Sequence, residues 1–339
     1  MDKFKDDMKI CIVKLSAMGD IIHAMCALQF IKDKYPACTI DWIVESGFKD
    51  VLEGNPHINN ILPINLKSIK NQKSKIFNQI KILKSYGKNN YDIVIDAQGL
   101  LKSAIVSKIV ASSNSNKSKI IGFDKNSTRE GIASWLYNEK VNIAYSKNVI
   151  LRNLKVICES IDIIVDENKI LMKKPFLFSS SKIYADKKNY VVFVVGASKI
   201  NKIYPKDKFK ELASLIDRNI IVVWGNEEEY KVAQYLYDNC KNVTIAPKGN
   251  LEDLKSIIKN SKLVIGADTG PTHMAWGLNI PSVTIFGNTP AYRNTYITNI
   301  NKVIKSHTNV DPLKLDKNDF SIKNIDVKDI YHIVKRLLF

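Results

Sequence analysis

Short apolar runs rich in Ile and Val recur along the chain, separated by segments whose apolar residues fall at helical spacing. In the first half, Ile10–Leu15, Ile40–Val44, Ile61–Ile64, Ile93–Asp96 and Lys119–Gly122 read as strands. Ile21–Lys34, Phe77–Tyr86, Leu101–Val110 and Val149–Ser160 read as helices. The strand runs are mostly continuous rather than alternating, as expected of parallel strands covered by helices on both faces. Residues 173–182 (KKPFLFSSSK) lose all periodicity and read as a linker. The alternation then restarts with strands at Tyr190–Val195, Ile220–Trp224, Val243–Ile245, Leu263–Ala267 and Ser282–Phe286. Helices are expected at Lys206–Asp217, Glu227–Tyr237, Leu251–Asn260 and Thr272–Gly277. A last helix, Val327–Leu337, carries Val327, Ile330, Tyr331, Val334 and Leu337 on one stripe. The pattern predicts an α/β protein with two Rossmann-like domains, 1–175 and 183–322, facing across a cleft. The helical segment 323–339 is expected to pack back on the first domain. There is no internal repeat.

Glycine is scarce, 14 in all, so its placement carries information. Gly19, Gly99, Gly196, Gly225, Gly266, Gly270 and Gly287 fall at or just past strand ends, the edge at which open α/β sheets bind ligands. Each alone is a turn glycine. Together they mark one ligand-binding edge on each domain.

The 339 residues exceed one compact core and suit two domains. Five scattered cysteines without a C-x-x-C pair predict a reducing compartment and no structural zinc. No signal peptide and no run of about 20 apolar residues is visible. The formal charge is +17, and its distribution matters more than its size. Residues 67–125 hold twelve lysines and three aspartates, a net +9, whereas the charge of residues 181–339 is diffuse. Arginine occurs only at positions 129, 152, 218, 293 and 336. That scarcity, with no aromatic–basic interleaving, argues against a nucleic-acid reader and leaves an anionic small molecule or lipid as the partner.

Three strand-end motifs carry candidate chemistry. In KLSAMGDIIHA (14–24) Asp20 stands in the first turn of a helix, where it is a helix cap or a general base. In DAQGLLKS (96–103) Gln98 and Lys102 are hydrogen-bond donors for a polar acceptor, or Asp96 and Ser103 simply tidy the turn. In GADTGPTHMA (266–275) a buried strand runs into a helix with Pro271 in its first turn, so free N–H groups and the Thr269 hydroxyl make an anion site. Neither G-x-G-x-x-G nor a P-loop is present.

Taken in this order, the three motifs resemble those of the lipopolysaccharide heptosyltransferases, glycosyltransferase family 9, and are most like the type I branch. The likeness runs from Met8, itself a candidate start, almost to the C-terminus. The resemblance implies a GT-B fold and an inverting transfer of L-glycero-D-manno-heptose from ADP-heptose to Kdo of Kdo-lipid A. It makes Asp20 the catalytic base. It assigns donor binding to Lys202, to Asp268, Thr269, Gly270 and His273, to Glu227 after the Trp-Gly turn, with Glu228 as the alternative, and to Ser198. At Ser198 the chain departs from the family's hydroxyl pair, having Ala197 at the preceding position. Acceptor contacts fall to Lys67, Lys70 and Arg129, beside Gln98 and Lys102. No cofactor and no metal are expected, and His273 would add a donor to the diphosphate. The implied setting is the cytoplasmic face of the inner membrane, in peripheral contact with anionic lipid. Transfer of heptose to heptose, or another GT-B sugar-nucleotide reaction, is the alternative.

Overall fold

Buried strands flanked by helices are what the pattern demands, and they are what the computed structural model contains; it describes residues 4–115 and 118–338. The chain divides into two compact units, Met1–Phe176 and Leu177–Phe339.

The first unit begins with β1 (Lys9–Val13), α1 (Met18–Met25), α2 (Ala27–Lys34), β2 (Thr39–Glu45) and β3 (Asn60–Ile64). It continues through α3 (Lys67–Asn71), α4 (Lys75–Gly87), β4 (Ile93–Asp96), α5 (Leu101–Ser112) and β5 (Lys119–Phe123). It closes with β6 (Glu139–Val141), α6 (Val149–Ile157) and α7 (Glu167–Leu171). The sheet is parallel throughout, in the order β3-β2-β1-β4-β5-β6. On one face Val13, Leu15 and Val94 pack under Leu83 of α4 and Val106 and Val110 of α5. Two helices begin at side-chain caps: Asn148 accepts from the Ile150 amide and Asp166 from the Lys169 amide.

The second unit runs β7 (Tyr190–Val194), α8 (Lys206–Leu215), β8 (Asn219–Val223), α9 (Glu227–Asn239), β9 (Val243–Ile245) and α10 (Leu251–Lys259). There follow β10 (Leu263–Ala267), α11 (Gly270–Gly277), β11 (Ser282–Phe286), α12 (Ala291–Asn294), β12 (Asn301–Lys305) and α13 (Val327–Leu338). Its parallel order, β12-β11-β10-β7-β8-β9, repeats the topology of the first sheet without repeating its sequence.

Three expectations change. The helix expected over Ile21–Lys34 starts earlier, at Met18, and divides at Cys26. Each sheet gains an edge strand, β6 and β12, that no long apolar run announces. The C-terminal helix, expected to pack back on the first domain, has its apolar stripe in the core of the second unit. Val327, Ile330 and Val334 complete the second unit's core beside Phe209 and Ile285, and α13 lies against α8 and β10–β12.

Candidate functional site

In each sheet the strand order reverses between two neighbours, β1 and β4 in the first unit and β10 and β7 in the second. Loops leaving such a pair diverge to opposite faces and open a crevice. All three motifs sit at these reversals.

In the first unit the loop after β1 delivers Asp20 to the first turn of α1, half-buried, with its carboxylate accepting from the Ala17 amide at 3.3 Å. A cis peptide joins Ser16 and Ala17. The loop after β4 grips this turn. Oε1 of Gln98 accepts from the amides of Leu15 and Ser16 at 3.1 and 3.2 Å, so its carbonyl orders the loop that carries Asp20. Asp96 is fully buried and accepts from the Gln98 and Gly99 amides, the Ser103 hydroxyl and the Tyr137 hydroxyl at 2.7–3.0 Å. Burial pushes its carboxyl up, against these four donors. Asp96 and Ser103 therefore build the turn, the simpler of the two readings the motif allowed.

Lys67 and Lys102 are exposed, and both charges act on a residue that the motifs did not single out, Glu45 at the end of β2. Burial raises the Glu45 carboxyl, opposed by both lysines and by the amides of Leu66 and Lys67. The Lys67 ammonium also lies 5.1 Å from the Phe48 ring centre. Lys70 belongs to α3 by its backbone, and its side chain lies outside the described residues. Arg129 is exposed, with its guanidinium carbon 5.2 Å from the Tyr145 ring centre, which Arg152 also approaches at 5.2 Å.

In the second unit the centre of the site is Asp268, at the end of the fully buried β10. The Lys202 ammonium donates to its carboxylate at 2.8 Å and to its carbonyl at 2.9 Å. His273 Nε2 lies 2.9 Å from Oδ1, and Thr289 and Asn294 donate to Oδ2 at 2.9 and 3.1 Å. Burial alone would raise the Asp268 carboxyl, but Lys202 and His273 outweigh it and hold the group well below the usual carboxylate range. Lys202 keeps one of its three N–H donors beyond these two bonds. His273 is buried with Nε2 committed to Asp268, so it organises the carboxylate rather than offering that nitrogen to a diphosphate. Thr289 and Asn294, from beyond β11, are site members that sequence reasoning missed. The strand-end Gly287 was their only signal.

Thr269 is the N-cap of α11 in extended conformation, and its hydroxyl makes no capping bond. With Pro271 lacking an N–H, the amides of Gly270 and Thr272 are the donors at this helix end. Gly266 is obligatory here: a Cβ would lie 2.6 Å from Val194 Cβ and 2.7 Å from Thr272 Oγ1. Ser198 is exposed beyond β7. The three glutamates opening α9 divide their labour. Glu229 caps the turn by accepting from the Gly225 amide at 2.7 Å, and Glu228 pairs with Lys231 at 2.7 Å. Glu227 is exposed, its carboxylate bonded to none of the described residues. Among the described residues no three His, Cys, Asp or Glu side chains cluster as metal ligands.

Residues 79–320 match the family described as glycosyltransferase family 9 (heptosyltransferase). The chain is 40% identical to lipopolysaccharide heptosyltransferase 1 of Campylobacter coli, over 97% of this chain and 99% of that protein. It is 28% identical to lipopolysaccharide heptosyltransferase 1 of Escherichia coli K12, over 83% and 88% of the two chains. The structure of the E. coli heptosyltransferase WaaC with ADP superposes at a TM-score of 0.80 with 25% identity, covering 97% of this chain and all of that one.

Proposed function

This chain belongs to glycosyltransferase family 9, the heptosyltransferases, and from that premise we propose that it moves L-glycero-D-manno-heptose from ADP-heptose to Kdo of Kdo-lipid A. It is a GT-B glycosyltransferase of lipopolysaccharide inner-core synthesis. The observation that carries the donor half is the Lys202–Asp268 pair at the open end of α11. As the bond between heptose and ADP breaks, negative charge grows on the diphosphate. The remaining Lys202 proton, the Thr269 hydroxyl and the Gly270 and Thr272 amides form a preorganised set of donors for that charge. Ser198 and Glu227, whose side chains are bonded to none of the described residues, serve the diphosphate and the ribose hydroxyls.

On the acceptor side Asp20 takes the proton of the attacking Kdo hydroxyl. Its loop is held by Gln98, so the carboxylate is positioned before the acceptor arrives. One displacement by one activated hydroxyl inverts the anomeric centre. Lys67, Lys70, Lys102 and Arg129 recognise the acceptor's phosphates and carboxylates. The enzyme works at the cytoplasmic face of the inner membrane, against anionic lipid.

The test is incubation with ADP-heptose and Kdo-lipid A, followed by mass analysis of the lipid. One added heptosyl unit, with ADP released only when the acceptor is present, is expected. ADP release indifferent to the acceptor, or a lipid of unchanged mass, overturns the assignment.

A further inference from the structure

We propose that the outer side of the layer formed by α4, α5 and the short helix Gly131–Leu136 is a docking surface for an anionic lipid bilayer. The inference rests on the reading above that the acceptor is a lipid, and it names the part of the molecule that meets the membrane.

These three elements pack side by side over one face of the first sheet. Their inner sides bury Leu83, Ala104, Val106, Val110 and Ala133, as a core layer should. Their outer sides are unusual for a protein surface. Phe77 is 78% and Trp135 76% exposed, joined by Ile76, Leu101, Ile105 and Ile132. Large apolar groups left in water over a contiguous layer mark a contact surface. Between them stand Lys75, Lys81 and Lys84 of α4 and Lys102 and Lys108 of α5, all exposed. Neither helix contains an acidic residue. Interleaved aromatic, aliphatic and lysine side chains match the boundary between headgroups and acyl chains: the rings reach below the phosphates while the ammonium groups pair with them. Charge complementarity selects the occupant, because a neutral protein partner would leave this row of lysines unanswered.

The patch also reaches the chemistry. Leu101 and Lys102 open α5 just beyond the Gln98–Gly99 turn, and the charge of Lys102 acts on Glu45 together with that of Lys67. A glycolipid could thus keep its acyl chains in the bilayer while its sugar meets the ends of β1, β2 and β4.

The experiment measures partition of the full chain onto vesicles of phosphatidylethanolamine with phosphatidylglycerol, and onto vesicles of phosphatidylcholine alone. Trp42 and Trp276 are buried and Trp224 is half-buried, so Trp135 reports directly. Its emission should shift to the blue on the anionic vesicles and not on the neutral ones. Lys75→Gln, Lys81→Gln and Lys84→Gln together should weaken anionic partition on the order of a hundredfold, about fivefold per lysine. Phe77→Ser with Trp135→Ser should weaken it by about tenfold or more. The Phe77/Trp135 variant should turn over a water-soluble, deacylated Kdo acceptor at the native rate, while transfer to acceptor embedded in vesicles falls. Native partition in both multiple variants, or equal binding to neutral vesicles, overturns the surface. Failure of the unmodified enzyme to use the soluble acceptor would instead count against the acceptor assignment and leave the vesicle result standing.

Discussion

Removing the Lys202 ammonium leaves Asp268 buried beneath it with a charge that its remaining partners offset only in part. The two side chains are 14% and 7% exposed, so solvent screens the pair little. Breaking a fully buried ion pair costs about 3–5 kcal/mol. Here Thr289, Asn294 and His273 still hold the carboxylate, which brings the expected cost of Lys202→Met to about 2–3 kcal/mol. Amides of β10 and α11 that exchange through local opening should then exchange about 30- to 150-fold faster, read by hydrogen exchange and mass spectrometry over residues 263–277. Adding Asp268→Asn removes the stranded charge while keeping hydrogen bonds, so the double variant should recover most of that stability, a coupling of about 2 kcal/mol. Catalysis should not recover, because the ammonium proposed to meet the diphosphate is still missing. Both variants should lose on the order of a hundredfold or more in kcat/KM for ADP-heptose. pH supplies an independent check. The depressed carboxyl of the native protein contributes stability that is complete above about pH 4 and is lost as pH falls toward its low folded value. Without Lys202 the folded value rises toward the ordinary one, which shrinks the contribution and shifts the remaining loss to higher pH. Additive single effects, or a Lys202→Met cost under about 0.5 kcal/mol, would refute the claim that this pair organises the donor half-site.

Three further outcomes are expected. Asp20→Asn can still accept from the Ala17 amide, so calorimetric ADP-heptose binding should be native while kcat falls about 10²- to 10⁴-fold; near-native turnover would remove the base from Asp20. Gly266→Ala should destabilise the second unit by about 1–3 kcal/mol, since the new methyl meets Val194 and Thr272 at 2.6 and 2.7 Å, and an unchanged melting temperature would contradict that crowding. Lys173 is buried near Cys26, and burial brings its pKa down to about 8. Its folded value lies below the unfolded one, so stability should rise as pH climbs from about 8 to about 10.4. Lys173→Met should abolish that slope and stabilise the protein at neutral pH by about 2 kcal/mol, measured by urea titration across that range.

The central strands β1, β4, β7 and β10 were legible because almost every residue in them is buried, which leaves a short, nearly continuous apolar run. Of the four outermost strands, β3 and β9 were also read, whereas β6 and β12 were not. β6 is the three residues Glu-Lys-Val, and β12 places only Val303 and Ile304 between two lysines. An edge strand is half-solvated, and lysines there discourage pairing with another sheet, so the apolar signal disappears where the edge is protected. The stripe on α13 was read correctly as a packing face, but that the second unit's core takes it was not legible, since periodicity records that a face is buried and not against what. In the site, the turns after β1, β4 and β10 stood out because glycine and a polar residue follow a buried strand. Contacts between distant loops were invisible. Thr289 and Asn294 reach Asp268 across 21 and 26 residues, and nothing local marks Glu45 as the residue on which the charges of Lys67 and Lys102 act.

The bridge from Gln98 to the amides of Leu15 and Ser16 spans more than eighty residues of chain. It makes two separate motifs one heritable unit. Any sequence that exchanges Gln98 for a shorter or apolar side chain must rebuild the turn that carries Asp20 in the same step, or lose the aim of its carboxylate. Grafting the Asp20 segment from one relative into another should therefore succeed only when the segment around residue 98 travels with it.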